Sequence, residues 1–144
     1  VYTSPTIYTS ASGLHATINV GGGSPASSCG GVKLNNEVIV STLIKPGQTP
    51  IASPAWCAQV NSGGGHMNFP PISTTTDAAG GNALVWFIDG DQLRAVDGDT
   101  GAPIVTSTGA GCMSVPSMSF PIAVNNRIVV WALGHLCSWS VGGN

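Results

Sequence analysis

The sequence predicts an all-β protein of about three four-stranded antiparallel sheets, arranged as the blades of an incomplete propeller, with a β-sandwich as the alternative. No window of about a dozen residues keeps the apolar stripe of a helix free of glycine, proline or β-branched clusters. Short apolar runs alternate with turn residues along the chain. Three segments, anchored at Pro5, Pro71 and Pro121, repeat the order of proline, short strand, polar turn and longer apolar strand.

The strand candidates are short and bounded by turn residues, at a spacing typical of sandwiches, barrels and propellers. They are Thr6–Ser10, Leu14–Val20, Val32–Leu34 and Glu37–Ile44 in the first unit, Ile72–Thr76, Ala83–Ile88, Gln92–Val96 and Ile104–Ser107 in the second, and Ile122–Val124, Arg127–Leu133 and Leu136–Val141 in the third.

The chain of 144 residues has the length of one domain. We expect a single β domain over 1–144, with blade-like units at about 4–44, 70–108 and 119–141. Residues 45–68 are rich in proline and glycine and are interpreted as one long loop. The third unit ends after its third strand, so three units are fewer than the roughly four to eight blades of a closed propeller.

The segment "ALVWFIDGDQLRAVDGDTGAPIV" at 83–105 contains two Asp-Gly turns suited to tight hairpins. It resembles the repeat of pyrroloquinoline-quinone-type, quinoprotein-like β-propellers, in which an apolar strand and "DG" precede a "xLxAxDxxTG" strand and turn. The likeness depends on Leu93, Ala95, Asp97, Thr100 and Gly101. "PSMSFPIAVNNRIVVWALGHLCSWSV" resembles the next blade. The resemblance implies a C-terminal part of such a protein, and it implies the fold more than the activity.

The composition excludes some partners. Four basic and six acidic residues give a net charge of −2, too little positive charge for nucleic acid or an anionic membrane surface. No apolar run approaches the roughly 18 residues of a membrane span. The charged fraction of only 7% suits a secreted, periplasmic or extracellular protein, or one within an assembly.

The four cysteines are far apart in the sequence and form no C-x-x-C pair. This spacing favours disulfides in an oxidising compartment over a zinc or redox motif. We expect Cys29 to pair with Cys57 and Cys112 with Cys137, since each bond closes a loop of about 25 residues that constrains the unfolded chain.

The sequence contains no recognisable catalytic or cofactor-binding set. Isolated histidines and the lack of G-x-S-x-G signal neither a zinc site nor a hydrolase triad. His66 and Trp56 fall in the predicted loop and are the candidate ligand-binding residues; Trp56 could stack on a sugar. Four aspartates could offer oxygens to Ca²⁺, although hairpin turns explain them better; they are Asp89, Asp91, Asp97 and Asp99.

Three functions remain open. The first is an extracellular, non-catalytic binding or structural module within a larger assembly, formed with copies of itself or with the remainder of a longer chain. The second is a fragment or subunit of a quinone-dependent dehydrogenase, which would use pyrroloquinoline quinone and Ca²⁺. The third is a carbohydrate-binding β domain that binds a glycan through Trp56. The insertion "GGGSPASS" and residues 45–68 are the expected recognition loops.

Overall fold

The computed structural model describes residues 4–20, 38–47, 51–60, 70–75, 82–106, 112, 115 and 119–141. In these ranges the chain forms eleven strands and no helix, and the strands make three antiparallel sheets, none of which closes into a barrel. The predicted all-β class is therefore confirmed. The arrangement is that of an incomplete propeller or of a sandwich-like fold.

Each sheet is a meander in which strands adjacent in sequence pair with one another. Sheet 1 contains β1 (Thr6–Ser10), β2 (Gly13–Val20), β3 (Val38–Lys45) and β4 (Ile51–Gln59). Sheet 2 contains β5 (Ile72–Thr75), β6 (Ala83–Asp89), β7 (Gln92–Asp97) and β8 (Pro103–Thr106), and sheet 3 contains β9 (Ile122–Val124), β10 (Arg127–Ala132) and β11 (His135–Ser140).

Strand β4 corrects the prediction of one long loop over 45–68, which is wrong for residues 51–59. Pro54 lacks a backbone N–H and would interrupt a central strand, but β4 lies at the edge of sheet 1. The pairing with β3 also shifts at this point, from Ser41 opposite Trp56 to Thr42 opposite Pro54. The predicted strand Val32–Leu34 and the rest of the loop, 61–68, lie outside the described residues.

Sheet 2 is buried on both faces because the side chains of β6 alternate between two cores. Val85 and Phe87 pack towards sheet 1, in a cluster with Tyr8 and Trp56. Trp86, with Ile88 and Leu93, packs towards Ile128 and Val130 of sheet 3. This double burial explains why "ALVWFI" is a continuous apolar run rather than an alternating one.

The first strands of the three sheets lie side by side, since β1 contacts β5 and β5 contacts β9. Antiparallel sheets stacked face to face in this way occur both as successive blades of a propeller and as the layers of a sandwich-like fold. The hairpin between β9 and β10 turns on Asn125 and Asn126, whose φ angles of 46° and 57° are the left-handed values that a two-residue hairpin turn requires.

Candidate functional site

The turn between β7 and β8 is organised by the carboxylate of Asp97. Its Oδ1 accepts hydrogen bonds from the backbone N–H groups of Asp99 and Thr100 and from the Thr100 hydroxyl, at 2.8–3.0 Å. Gly101 follows with φ +71°, which favours glycine. The residues "DGDTG" therefore build a tight turn, as their spacing predicted.

Gly98 in the same turn joins the turn to sheet 1. A Cβ atom at this position would lie only 2.8 Å from the Cβ of Ala83, so the close approach requires glycine. The carbonyl oxygen of Gly98 accepts hydrogen bonds from the Tyr8 hydroxyl at 2.8 Å and from Trp56 Nε1 at 2.7 Å. Both donors come from sheet 1, so the turn of sheet 2 is held to its neighbour.

A buried polar cluster lies beside this contact, on the face of sheet 1 that packs against sheet 2. His15, Thr17 and Ser41 are each 0% exposed. His15 Nδ1 lies 3.0 Å from Ser41 Oγ, and His15 Nε2 lies 2.8 Å from Ser12 Oγ. Ser12 Oγ donates in turn to Asp99 Oδ1 at 2.5 Å. We call Ser12, His15, Ser41 and Asp99 the His15 network.

The partners in the His15 network fix the tautomer of the histidine. A carboxylate only accepts, so the single hydroxyl proton of Ser12 points to Asp99 and His15 Nε2 must carry the proton that faces Ser12. Ser41 then donates to the unprotonated Nδ1 and accepts from the Thr17 hydroxyl at 2.9 Å. Neutral His15 satisfies every one of these contacts.

The electrostatics agree with a neutral histidine. Burial lowers the pKa of His15 below its usual 6.5, and the nearby negative charge of Asp99 offsets this only in part. Burial acts to raise the pKa of Asp99, but hydrogen bonds from Ser10 and Ser12 outweigh it and leave that pKa below its usual value. At neutral pH the pair is a neutral imidazole beside a carboxylate.

The His15 network does not have the geometry of a hydrolase triad. A triad places the carboxylate on the histidine nitrogen opposite the serine, whereas here Asp99 accepts the proton of Ser12 itself. Removal of that proton would create an alkoxide beside a carboxylate, which like-charge repulsion disfavours. The network therefore serves to join sheets 1 and 2.

The four candidate calcium ligands do not meet. Asp89 and Asp91 flank one end of β7, while Asp97 and Asp99 flank the other, and six strand residues span about 20 Å. Each pair has other partners as well: Asp89 lies 2.7 Å from Arg94 Nε, and Asp97 organises its turn. The hypothesis of a shared calcium site in "DGDQLRAVDGDTG" is contradicted by this separation.

Trp56 lies in the interior rather than on a loop. It is 7% exposed, donates its indole N–H to Gly98, and packs so closely on Gly101 that a Cβ there would lie 2.9 Å from the indole ring. This placement argues against the sugar-stacking role. The other candidate, His66, lies outside the described residues. The tryptophan that faces solvent is Trp131, at 51% exposure.

The predicted bond between Cys112 and Cys137 is present. Cys57 is also disulfide-bonded, and Cys29 lies outside the described residues. His135 lies near the first bond, with the three possible ligand atoms within 4.8 Å of one another. Metal coordination by cysteine needs thiolates, so the disulfide does not supply a metal site.

A groove of about 270 Å³ lies between β4 and β8. Its wall includes Phe87, Pro103, Val105 and the stem of Arg94, whose Nε is paired with Asp89. Pockets for small ligands usually measure about 300–1,000 Å³. The groove lies just below this range, and its one charged side chain is already paired with Asp89.

The feature that stands out as functional is an exposed apolar sheet surface. Ile122, Trp131 and Leu136 are 57%, 51% and 68% exposed and lie on the same side of sheet 3 as the half-buried Val129. We call these four residues the outer face of sheet 3. The sequence alone does not single them out, because the apolar run "RIVVWAL" does not show which of its two faces a neighbouring sheet covers.

Compared with models of known protein families, with curated proteins and with solved structures, the chain matches none of them. No helix in the described part of the chain is long and apolar enough to cross a membrane.

Proposed function

We propose that this chain is a non-catalytic binding or structural module on a propeller-type scaffold, and that it acts as part of a larger β assembly outside the cytoplasm. The disulfide bond between Cys112 and Cys137 supports an oxidising compartment, in which such bonds persist. The His15 network, whose polar groups are occupied by one another, supports a stabilising role for the clustered polar residues.

The observation that carries the proposal is the contrast between sheets 2 and 3. Both faces of sheet 2 are covered by neighbouring sheets. Among the described residues, sheet 3 packs against sheet 2 on the face of Ile128 and Val130, while the outer face of sheet 3 presents its apolar side chains to solvent. Contiguous exposed apolar surface of this kind marks interaction sites on proteins.

The scaffold is further proposed to be of the quinoprotein-like propeller type. The support comes from the residues of the "xLxAxDxxTG" motif, which occupy the positions expected of them in such a repeat. Leu93 and Ala95 point into the core between sheets, Asp97 and Thr100 close the turn, and Gly101 takes its left-handed position. This part of the proposal concerns the fold and assigns no quinone chemistry.

Sedimentation velocity over a range of protein concentrations tests the interaction role. We expect the purified chain to form species larger than one chain, since the outer face of sheet 3 is apolar. Trp131→Glu should shift the population to single chains, because burying an unpaired charge is costly. Ala102→Glu adds the same charge at an exposed turn in sheet 2 and should behave as wild type.

Near-ultraviolet circular dichroism of each variant checks that the sheets still pack. A wild-type chain that sediments as a single species of one chain at every concentration would contradict the interaction role. So would equal effects of the two glutamate substitutions.

A further inference from the structure

Two hairpins of the chain have the same strand register and can be aligned residue by residue. In sheet 1, Ser10 pairs with Gly13 across a two-residue turn, and in sheet 3 Val124 pairs with Arg127 across a two-residue turn. The equal turn lengths fix the equivalences without any adjustable gap. Leu14, Ala16 and Ile18 of β2 therefore correspond to Ile128, Val130 and Ala132 of β10.

These equivalent residues lie in different surroundings. Ile128, Val130 and Ala132 are at most 1% exposed because sheet 2 covers them. Leu14 is 38% exposed and Ala16 and Ile18 are half-buried, on the side of sheet 1 that faces away from sheet 2. Ile7, paired with Ala16 on the same side, is 54% exposed. We call Ile7, Leu14, Ala16 and Ile18 the outer face of sheet 1.

The surface of sheet 2 that packs against sheet 3 can be compared with the outer face of sheet 3 in the same way. Trp86 and Leu93 of sheet 2 cover sheet 3 together with Ile72 and Ile88. From the register of the hairpins, the positions in sheet 3 that correspond to these four residues are those of its outer face, and they are again apolar. Two other residues of the same core differ, since Leu84 corresponds to Arg127 and Ala95 to Ser138. The residue equivalences, in the order sheet 2 to sheet 3, are Ile72 to Ile122, Trp86 to Val129, Ile88 to Trp131 and Leu93 to Leu136.

The chain thus presents both halves of its own interface between sheets 2 and 3. The outer face of sheet 3 repeats the surface that sheet 2 offers, and the outer face of sheet 1 repeats the surface that sheet 3 offers in return. The residues that define the two faces are uncharged, and the charged side chain on the same side of sheet 3 is Arg127, which pairs with Val124 at the far end of β10 from Trp131. The contact between sheets 2 and 3 can therefore be repeated at the outer face of sheet 3 if the outer face of another sheet 1 packs against it.

We propose that a second copy of this chain supplies it, so that the outer face of sheet 3 in each copy packs on the outer face of sheet 1 in the other. This inference rests on the proposed function and specifies its partner. Two such contacts close a symmetric ring of two chains. The ring contains six sheets, which lies within the roughly four to eight blades of closed propellers.

Head-to-tail contact differs from contact between two identical faces in its response to mutation. In a head-to-tail ring, Leu14→Lys on sheet 1 and Trp131→Glu on sheet 3 each damage both interfaces of the homodimer. An equimolar mixture of the two variants restores association, since one interface is then wild type and the other pairs lysine with glutamate. If two outer faces of sheet 3 packed against each other instead, the Leu14→Lys variant would associate as wild type does.

Sedimentation equilibrium of the full chain measures these associations. We expect wild type to form two-chain species, and each variant alone to show a dissociation constant raised by about tenfold or more. The mixture should return at least half of the protein to two-chain species. Ile7→Lys, at a more exposed position of the same face, replaces Leu14→Lys if that variant fails to fold.

The outcomes separate the two proposals. A wild-type chain that never associates overturns the interaction role and the head-to-tail contact together. Association that Trp131→Glu abolishes but Leu14→Lys and Ile7→Lys leave intact overturns the head-to-tail contact alone, and retains the outer face of sheet 3 as an interaction surface. Failure of the mixture to associate also overturns the head-to-tail contact.

Discussion

His15 couples the stability of the fold to pH. Its pKa is lowered by burial, so the unfolded chain takes up a proton near the usual pKa of 6.5 while the folded chain does not. The free energy of unfolding should therefore be greatest above this pH and should fall as the pH drops below it, down to the lowered pKa. Asp99 adds a second loss below its usual pKa of 3.8, because its own pKa is lowered in the fold.

Urea unfolding between pH 7.5 and pH 5 measures the first of these effects, in the window that the usual histidine pKa sets. His15→Gln, which keeps a donor and an acceptor in the side chain, should remove most of the pH dependence that wild type shows in this window. His135→Gln alters an exposed histidine of β11 and should leave it unchanged. An equal slope in wild type and His15→Gln would be inconsistent with the neutral, buried His15.

The residues of the turn and those of the network differ in how far sequence could predict them. Asp97, Thr100 and Gly101 act on neighbours within four positions, so the motif alone indicates their roles. Asp99 instead accepts a hydrogen bond from Ser12, which is 87 positions away in sequence. A contact between residues so far apart in sequence leaves no local pattern. The sequence therefore indicated a turn at Asp99 but not the His15 network.

At the level of the strands, local pattern predicted most boundaries within one or two residues. β1 and β9 have the predicted bounds, and β6, β7 and β10 differ from them by one residue. β4 was missed because Pro54 normally argues against a strand, and only its edge position and shifted pairing permit it. Edge position is a property of the sheet and cannot be derived from the strand's own residues.

The disulfide to β11 provides a test at the same level. Cys112 and Cys137 are 25 residues apart, and their bond ties an edge strand to the core between sheets 2 and 3. The double variant Cys112→Ala/Cys137→Ala should lose about 3 kcal/mol in free energy of unfolding, chiefly because the unfolded chain gains freedom. Chemical denaturation of the variant and wild type measures the loss.

This double variant leaves the bond at Cys57 intact, which reduction of the wild type would not. Amide exchange should accelerate in β11 and remain slow in β6, which is covered on both faces. An unchanged denaturation midpoint, or faster exchange spread evenly over sheets 2 and 3, would contradict the assignment of this bond to β11.

For the molecule as a whole, the repeat of proline, short strand and longer strand predicted three successive units, because each is built from strands adjacent in sequence. The predicted end of the first unit at residue 44 was wrong, since sheet 1 continues through β4 to Gln59. The repeat did not predict which faces remain uncovered. "ALVWFI" and "RIVVWAL" are both apolar, yet in the described part of the chain sheet 2 packs against a neighbouring sheet on both faces and sheet 3 on one. The sequence shows that a strand is apolar enough to be buried on both faces. Whether both faces are in fact buried depends on how the neighbouring sheets pack.

The dependence of thermal stability on protein concentration follows from the proposed ring. Only the folded chain has the outer faces of sheets 1 and 3, so association stabilises the folded state by mass action and the midpoint of thermal unfolding should rise with concentration. Trp131→Glu should show a midpoint independent of concentration, and Ala102→Glu should follow wild type. The strands of sheet 1 contain no acidic residue with which Arg127 of sheet 3 could pair, so the wild-type shift should persist at high salt, where screening would remove an association driven by charge. Differential scanning calorimetry at several concentrations, at low and at high salt, measures this. A wild-type midpoint that stays constant, or a shift that salt abolishes, would mean that burial of these apolar faces does not hold the chains together.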